Sequence, residues 1–263
     1  MNEVIANKDE YKTSRKISKR IFPSLYFYFK HLIPIVYRCN RLAVKGIYDD
    51  EEWIASSLDI MRGLEKSGIN FHITGMNNLK AVEGPVVFVS NHMSILETFI
   101  FPSIIHPVKK IVFVMKEELV RFPVFGPVSA ARDPILVSRN NPREDLMAVL
   151  NQGSERLARG KSVVIFPQRT RTQFLNPSSF NTLGIKLARR NNVPIIPVAL
   201  VTDAWSNGKY LKDFGKIDPK REVKICFGEP IKISGNGSEE HQKVIDFIKS
   251  KFVEWGRNEL IRE

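Results

Sequence analysis

The chain has 263 residues, 43% of them hydrophobic and 26% charged, which suits a folded protein with one sizeable core and excludes a disordered chain. Lys and Arg number 40 against 28 Asp and Glu, a formal net charge of +12 that favours anionic membrane surfaces, phosphorylated substrates or nucleic acid. Cys39 and Cys226 lie far apart without metal-type spacing and read as reduced buried thiols, and the charged N-terminus carries no signal-type apolar stretch, so secretion is not expected.

Residues 1–20 are polar and basic and are expected to fray. Residues 21–37 are rich in aromatics, but Lys30 and His31 interrupt the run and Pro23 and Pro34 punctuate it. A membrane span needs about 20 mostly apolar residues, so a non-spanning helical segment is expected. Two readings of it are compatible. It can lie in a membrane interface, with Tyr rings, Arg38 and Arg41 at headgroup depth. It can also pack on the core as a hairpin with a helix near 51–66.

From Ile69 short apolar runs alternate with helical stretches. The candidate strands are Phe71–Gly75, Val86–Ser90, Ile111–Met115, Ile135–Ser138, Ser162–Phe166, Ile195–Leu200 and Val223–Phe227. The clearest helix is 142–159, with Asn141 as N-cap, Pro142 at the first position, Glu144 at the third and Gly160 closing it. A last amphipathic helix, 239–256, follows the turn-rich Gly235-Asn236-Gly237-Ser238. This alternation predicts an α/β fold: a largely parallel mixed sheet flanked by helices, with an N-terminal helical hairpin. The chain divides into an N-terminal helical membrane-interface segment, residues 1–68, and an α/β domain, residues 69–263.

Chemistry gathers where predicted strands end. Val86–Ser90 runs directly into Asn91 and His92, and Glu97 follows five residues after the histidine. The carboxyl ends of strands in open α/β sheets are where ligands and catalytic groups collect. An imidazole there with a nearby carboxylate forms a base and its orienting partner, able to deprotonate a hydroxyl. Ser94-Ile95-Leu96-Glu97 also fits a capping box, and the two roles are compatible. Arg139 and Arg171 each follow a predicted strand, on the histidine's rim if those strands are parallel, and a guanidinium fork matches phosphate oxygens. No Ser or Cys occupies a nucleophile-elbow sequence, so no acyl-enzyme is expected. No cluster of His, Cys, Asp and Glu suggests a metal.

Four segments, in order, resemble the glycerolipid acyltransferases typified by 1-acylglycerol-3-phosphate acyltransferase, over about residues 70–230. The family's N-H-x-x-x-x-D matches Asn91, His92 and Glu97, with Glu for Asp. Its F-x-x-x-G, followed by a strand ending in Arg, matches Phe122, Gly126 and Arg139, with Ser138 where Asp is frequent. Its F-P-E-G-T-R appears as Phe166-Pro167-Gln168-Arg169-Thr170-Arg171, and V-P-[IV]-[IV]-P-V is intact from Val193 to Val198. The Glu at 97 and the stretch Phe180–Ala188 look like a bacterial subgroup. Gln168 removes a negative charge that the family places near the acceptor. Arg169 stands in place of a glycine and adds a cation.

The resemblance implies acyl transfer from an acyl thioester to a lysophospholipid hydroxyl, such as that of 1-acylglycerol-3-phosphate. Residues 69–263 are then the acyltransferase domain. His92 is the implied general base, and Glu97 orients it and stabilises its charge. Arg139 and Arg171 are implied to hold the acceptor phosphate, with Lys116 and Arg169 as further cations, and Asn91, Gln168 and Thr170 belong to the acceptor site by their places in the motifs. Acyl-CoA or acyl-ACP is the implied co-substrate, with no cofactor and no metal. The expected partners are lipid substrates, an anionic membrane surface and, for an ACP donor, acyl carrier protein. Nucleic acid is not expected, because no recognisable RNA or DNA module accompanies the charge. The expected location is the cytoplasmic face of the cell membrane, as a peripheral or monotopic protein. The competing reading is a catalytically inactive or divergent membrane-binding protein of acyltransferase fold acting on another lipid acceptor. Its motive is the altered third motif.

Overall fold

Long β-branched runs have no polar face to offer water, so they demand cover on both sides. The computed structural model, which describes residues 5, 8–14, 21–168, 170–209 and 211–262, provides that cover. Eight strands form one sheet whose order from edge to edge is β1 (Tyr11–Lys12), β2 (Phe71–Thr74), β8 (Val223–Phe227), β7 (Ile195–Val201), β3 (Val87–Ser90), β6 (Ser162–Ile165), β4 (Ile111–Lys116) and β5 (Ile135–Val137). Strands β7, β3, β6, β4 and β5 are mutually parallel. β8 is antiparallel to β7 and parallel to β2. Helices flank the sheet, so the expected α/β class, largely parallel and mixed, is the observed one.

Register fixes what meets at the rim. Val89 lies opposite Ile165, and Ser90 opposite Val198. The segments that follow β3 and β6 therefore emerge side by side, with the end of β7 on the other flank. Farther along the same rim, Lys116 of β4 lies opposite Val137 of β5.

The two helices the sequence delimits, 142–159 and 239–256, are present with ends shifted by a residue or two. α6 (Pro142–Ala158) is capped by Asn141, whose side-chain oxygen accepts from the Arg143 and Glu144 amides at 3.1 and 3.4 Å. The last helix, α8, spans Ser238–Glu254. α7 (Leu183–Arg190) rests directly on β3, since a Cβ at Gly184 would lie 2.6 Å from a methyl of Val89. In α5 (Phe125–Ala130), a Cβ at Gly126 would lie 2.4 Å from the Val120 carbonyl oxygen, which accounts for the glycine of the second motif. α3 (Asp50–Lys66) packs against α4 (Leu96–Ile105).

The N-terminal hairpin is present. α1 (Pro23–Phe27), a π turn (Tyr28–Leu32) and α2 (Ile33–Val44) form one rod that doubles back on α3. Pro34 lacks the amide hydrogen an unbroken α-helix would use, and the wider turn just before it absorbs the mismatch. Its inner face buries Phe27, Leu32, Ile35 and Cys39 in the same core as the sheet. Its outer face leaves Phe22, Leu25, Phe29, Ile33, Tyr37 and Val44 exposed. The core-packing reading is thus the observed one for the inner face. No helix among the described residues is long and apolar enough to cross a membrane.

One expectation is corrected. The stretch around Tyr11 is not frayed: β1 pairs antiparallel with β2, and the Tyr11 and Thr13 hydroxyls donate to Glu65 at 2.7 and 2.8 Å. Its partners lie more than fifty residues away, beyond the reach of local pattern. Residues 1–4, 6–7 and 15–20 lie outside the described residues.

Candidate active site

β3 delivers a polar triplet to the rim, and each member is pinned differently. Ser90 ends the strand. Asn91 is 1% exposed, and its amide donates to the Leu200 carbonyl at 2.8 Å while accepting from the Leu200 amide at 3.0 Å. Its side chain is therefore committed to lashing the end of β3 to β7. The backbone then turns, and the His92 amide donates to Gln168 Oε1 at 2.8 Å while its carbonyl accepts from the Thr172 amide at 3.0 Å. The imidazole stacks on Phe166, with centroids 4.0 Å apart and planes 14° from parallel. Those contacts fix where the ring sits before any acid is considered.

Glu97 fixes how the ring is protonated. It lies in the first turn of α4, wholly buried, and its Oε1 is 2.8 Å from His92 Nδ1. A carboxylate can only accept, so the neutral imidazole carries its proton on Nδ1. Nε2 makes no hydrogen bond to any described residue, and the side chain is 15% exposed, so that nitrogen is the one left to accept a proton. Oε1 also accepts from the Met93 and Ser94 amides at 2.7 and 2.9 Å, and Oε2 accepts from the Ser94 and Thr202 hydroxyls at 3.0 and 2.8 Å. Burial alone pushes this carboxyl up, but the hydrogen bond and positive charge offered by His92, with the Ser94 amide, outweigh it and hold Glu97 below the usual glutamate range. α4 begins one residue later than the capping box predicts. The reciprocal bonds survive, since Ser94 Oγ accepts from the Leu96 amide at 3.1 Å while Glu97 reaches back to the Ser94 amide.

Gln168 is 5% exposed, and because an amide N–H can only donate, its oxygen must face His92. Its Nε2 is left buried without a partner among the described residues. Arg171 lies on the same loop, with its guanidinium 2.5 Å from Asp213. Thr170 is exposed, and its hydroxyl accepts from Lys212 at 3.3 Å. Arg169 lies outside the described residues.

The remaining two cations share the rim but stand farther off. Arg139 follows β5 at φ +63°, its amide held by Asp145 at 2.8 Å, and its exposed guanidinium has no ion pair among the described residues. β5 is three strands from β3, about 14 Å at ordinary strand spacing. Lys116, one strand nearer, pairs with Glu118 at 2.7 Å. The structure thus gathers His92, Glu97, Asn91 and Gln168 into one cluster, sets Arg171 and Thr170 beside it, and places Lys116 and Arg139 along the edge. Among the described residues, no group of three or more His, Cys, Asp and Glu is placed to hold a metal ion.

Two site residues escape sequence reasoning. Thr202 directly follows β7, and its only sequence signal is a polar side chain just after the fourth motif's strand. Asp213 sits in an irregular stretch with no local signal at all.

This strand-end arrangement can be compared with known proteins. The sequence model described as Acyltransferase matches residues 70–201, just over half of the chain. The chain belongs to the acyltransferase family. A 1-acyl-sn-glycerol-3-phosphate acyltransferase from Pseudomonas aeruginosa is 30% identical over 171 residues, spanning 65% of this chain and 63% of that protein. A chloroplastic enzyme of the same name from Brassica napus is 29% identical over 129 residues, spanning 49% of this chain and 36% of that one. The chain thus spans less than two thirds of the length of these relatives. The crystal structure of the 1-acyl-sn-glycerophosphate acyltransferase PlsC from Thermotoga maritima superposes with a TM-score of 0.64, covering 89% of this acyltransferase-family chain and 95% of that one. At 20% identity that likeness shows the shared fold.

Proposed function

We propose that this acyltransferase moves a fatty acyl group from an acyl thioester to the hydroxyl of a lysophospholipid such as 1-acylglycerol-3-phosphate. The observation that carries this reading is the 2.8 Å contact between His92 Nδ1 and a buried Glu97 at the sheet rim. The relatives named for that reaction support the choice of acceptor.

The chemistry follows from the ring's two ends. His92 Nε2 takes the acceptor hydroxyl's proton as the oxygen attacks the thioester carbonyl, and Glu97 stabilises the imidazolium that forms. Collapse of the tetrahedral adduct breaks the C–S bond, and the imidazolium returns the proton to the departing sulfur. Arg171 and Arg139 bind the acceptor's phosphate, with Lys116 and Arg169 adding positive potential, and Thr170 and Gln168 line the approach. Asn91 contributes by fixing the turn that presents His92. The donor is acyl-CoA or acyl-ACP, and no metal or cofactor is required for these steps.

Arg171→Ala is expected to raise KM for phosphate-bearing acceptors by about 10- to 100-fold, the effect of losing a charge-assisted pair worth about 1.5–3 kcal/mol. KM for the thioester should change little. Steady-state kinetics with each substrate varied in turn will check this, and an unchanged acceptor KM would remove Arg171 from the role.

The outer face of the N-terminal rod supports membrane docking, with location at the cytoplasmic face of the cell membrane as a peripheral or monotopic protein. Phe22, Leu25, Phe29, Ile33 and Tyr37 recur at spacings of three and four, and Arg41 lies 6.0 Å from the Tyr37 ring centre. Such a stripe inserts at headgroup depth while nearby Lys and Arg meet anionic lipid. Leu25→Ser with Phe29→Ser removes two side chains worth about 1 kcal/mol each at partial burial, so vesicle binding should weaken at least about 10-fold. Unchanged co-sedimentation with anionic vesicles would refute this docking face.

The decisive assay is a lysolipid panel with labelled acyl-CoA and labelled acyl-ACP, run on wild type and His92→Ala. Transfer that depends on His92 is the expected result. Vesicle binding without thioester consumption across the panel would favour the inactive membrane-binding reading that the altered third motif motivates.

A further inference from the structure

We infer that Thr202, assisted by Ser94, is a positioning residue of the transfer reaction: its hydroxyl clamps the far oxygen of Glu97 and makes the longer acid the matched partner of His92. The inference rests on the reading of His92 as general base and deepens it.

The two oxygens of Glu97 live in different surroundings. Oε1 faces the imidazole and two backbone amides, at 2.7 to 2.9 Å. Those amides belong to the turn itself, and no side-chain substitution removes them. Oε2 accepts from two hydroxyls, Thr202 Oγ1 at 2.8 Å and Ser94 Oγ at 3.0 Å. The two hydroxyls are themselves 3.1 Å apart, and Ser94 Oγ is also engaged by the Leu96 amide. Everything here is sealed, with Glu97 and Thr202 at 0% exposure and Ser94 at 1%. Water cannot substitute for a missing donor.

Thr202 is the anchor of this pair because it belongs to another part of the chain. Ser94 and Glu97 sit three residues apart on one turn and move together, whereas Thr202 comes from the end of β7, 105 residues on. Its own position is fixed from behind: the next residue, Asp203, is buried against Arg221 and Arg257, each at 2.5 Å. A hydrogen bond to that fixed point completes the hold on the carboxylate, adding an anchor outside the turn to the amides on Oε1 and the Ser94 hydroxyl on Oε2. Oε1 therefore stays in the plane of Nδ1, and Nε2 stays aimed at the mouth of the site. Positional precision of this kind governs turnover far more than substrate affinity.

Chain length enters the same way. An aspartate at 97 would draw the carboxylate back by about one C–C bond, ~1.5 Å. From that position it cannot keep contact distance both to the imidazole and to Thr202. The family motif names aspartate, yet here the geometry is built around the longer acid.

The test compares Thr202→Val, Thr202→Ser, Ser94→Ala and Glu97→Asp with wild type and His92→Ala. Valine keeps the shape of threonine and removes the donor, and serine keeps the donor. Thr202→Val should lower kcat about 10- to 100-fold with both KM values within about twofold, and Thr202→Ser should stay within about threefold of wild type. The downfield Nδ1–H proton resonance of His92 should shift or broaden in Thr202→Val and hold its place in Thr202→Ser. Glu97→Asp should lose at least about tenfold in kcat despite restoring the family's residue.

Wild-type kcat in folded Thr202→Val, or equal losses in the valine and serine variants, would overturn the inference. Wild-type kcat in Glu97→Asp would overturn the matching of length. Should Thr202→Val fail to accumulate as folded protein, Ser94→Ala and the serine variant decide the matter: the first must lower kcat and the second must not. If these variants behave normally while His92→Ala is inactive, only this inference fails. If His92→Ala is active, the base assignment itself fails.

Discussion

Alanine at position 92 is expected to cut kcat by about 10²- to 10⁴-fold, the usual worth of a positioned base, while KM for both substrates changes little. The size of the effect follows from how little else the substitution disturbs. His92 meets Gln168 and Thr172 through its own backbone amide and carbonyl, so both bonds survive truncation of the side chain. What disappears is the ring, its stacking on Phe166 at 4.0 Å, its 2.8 Å bond to Glu97, whose Oε1 keeps the Met93 and Ser94 amides, and the proton acceptor at Nε2. Initial rates with saturating thioester and acceptor, alongside a melting curve, separate lost chemistry from lost fold. Near-normal turnover in a folded variant would eliminate the proposed mechanism.

Glu97→Gln is expected to lower kcat by about 100-fold and to change stability in a pH-dependent way. The amide can settle with little steric cost, because its oxygen can face the fixed Met93 and Ser94 amides while its NH₂ faces hydroxyls that can turn and accept. It cannot supply the charge that stabilises an imidazolium. Leaving that charge out of a site evolved to solvate it costs about 1–3 kcal/mol at neutral pH. Glu97 is held below the usual glutamate range in the fold, so the unfolded chain binds its proton more tightly. The stability it contributes is complete above the ordinary glutamate value, about 4.3, and is lost as pH falls through the lower folded value. Chemical denaturation from pH 7 to pH 3 should therefore show wild type and Glu97→Gln converging as acid increases. Parallel curves would mean that the carboxylate titrates alike in both states.

Much of this was legible before any coordinates. The runs at 86–90, 162–166 and 195–200 announce buried strands because all but one side chain in each of the first two, and every one in the third, is apolar. Asn141, Pro142 and Gly160 frame a helix because capping is chemistry between near neighbours. His92 and Glu97 fall five residues apart across one strand-turn-helix, so a local reading reaches both. The reading stops where contacts become long-range. Its motif places Asn91 at the acceptor site, yet its side-chain amide is spent on Leu200, 109 residues away. Thr202 meets Glu97 across 105 residues and Asp213 meets Arg171 across 42, with no periodicity to betray either. β1 escapes a local reading for the same reason, since its two residues form a strand only because β2 offers an open edge.

The saturation of Glu97 has a consequence for proton traffic. With both carboxylate oxygens occupied and no surface exposed, the acid is a dead end: among the described residues, its partners besides the imidazole are backbone amides and buried hydroxyls. Protons enter and leave the ring by one doorway, Nε2. In the proposed transfer, the proton that the acceptor alcohol surrenders there goes out by the same door, on the thiol that departs.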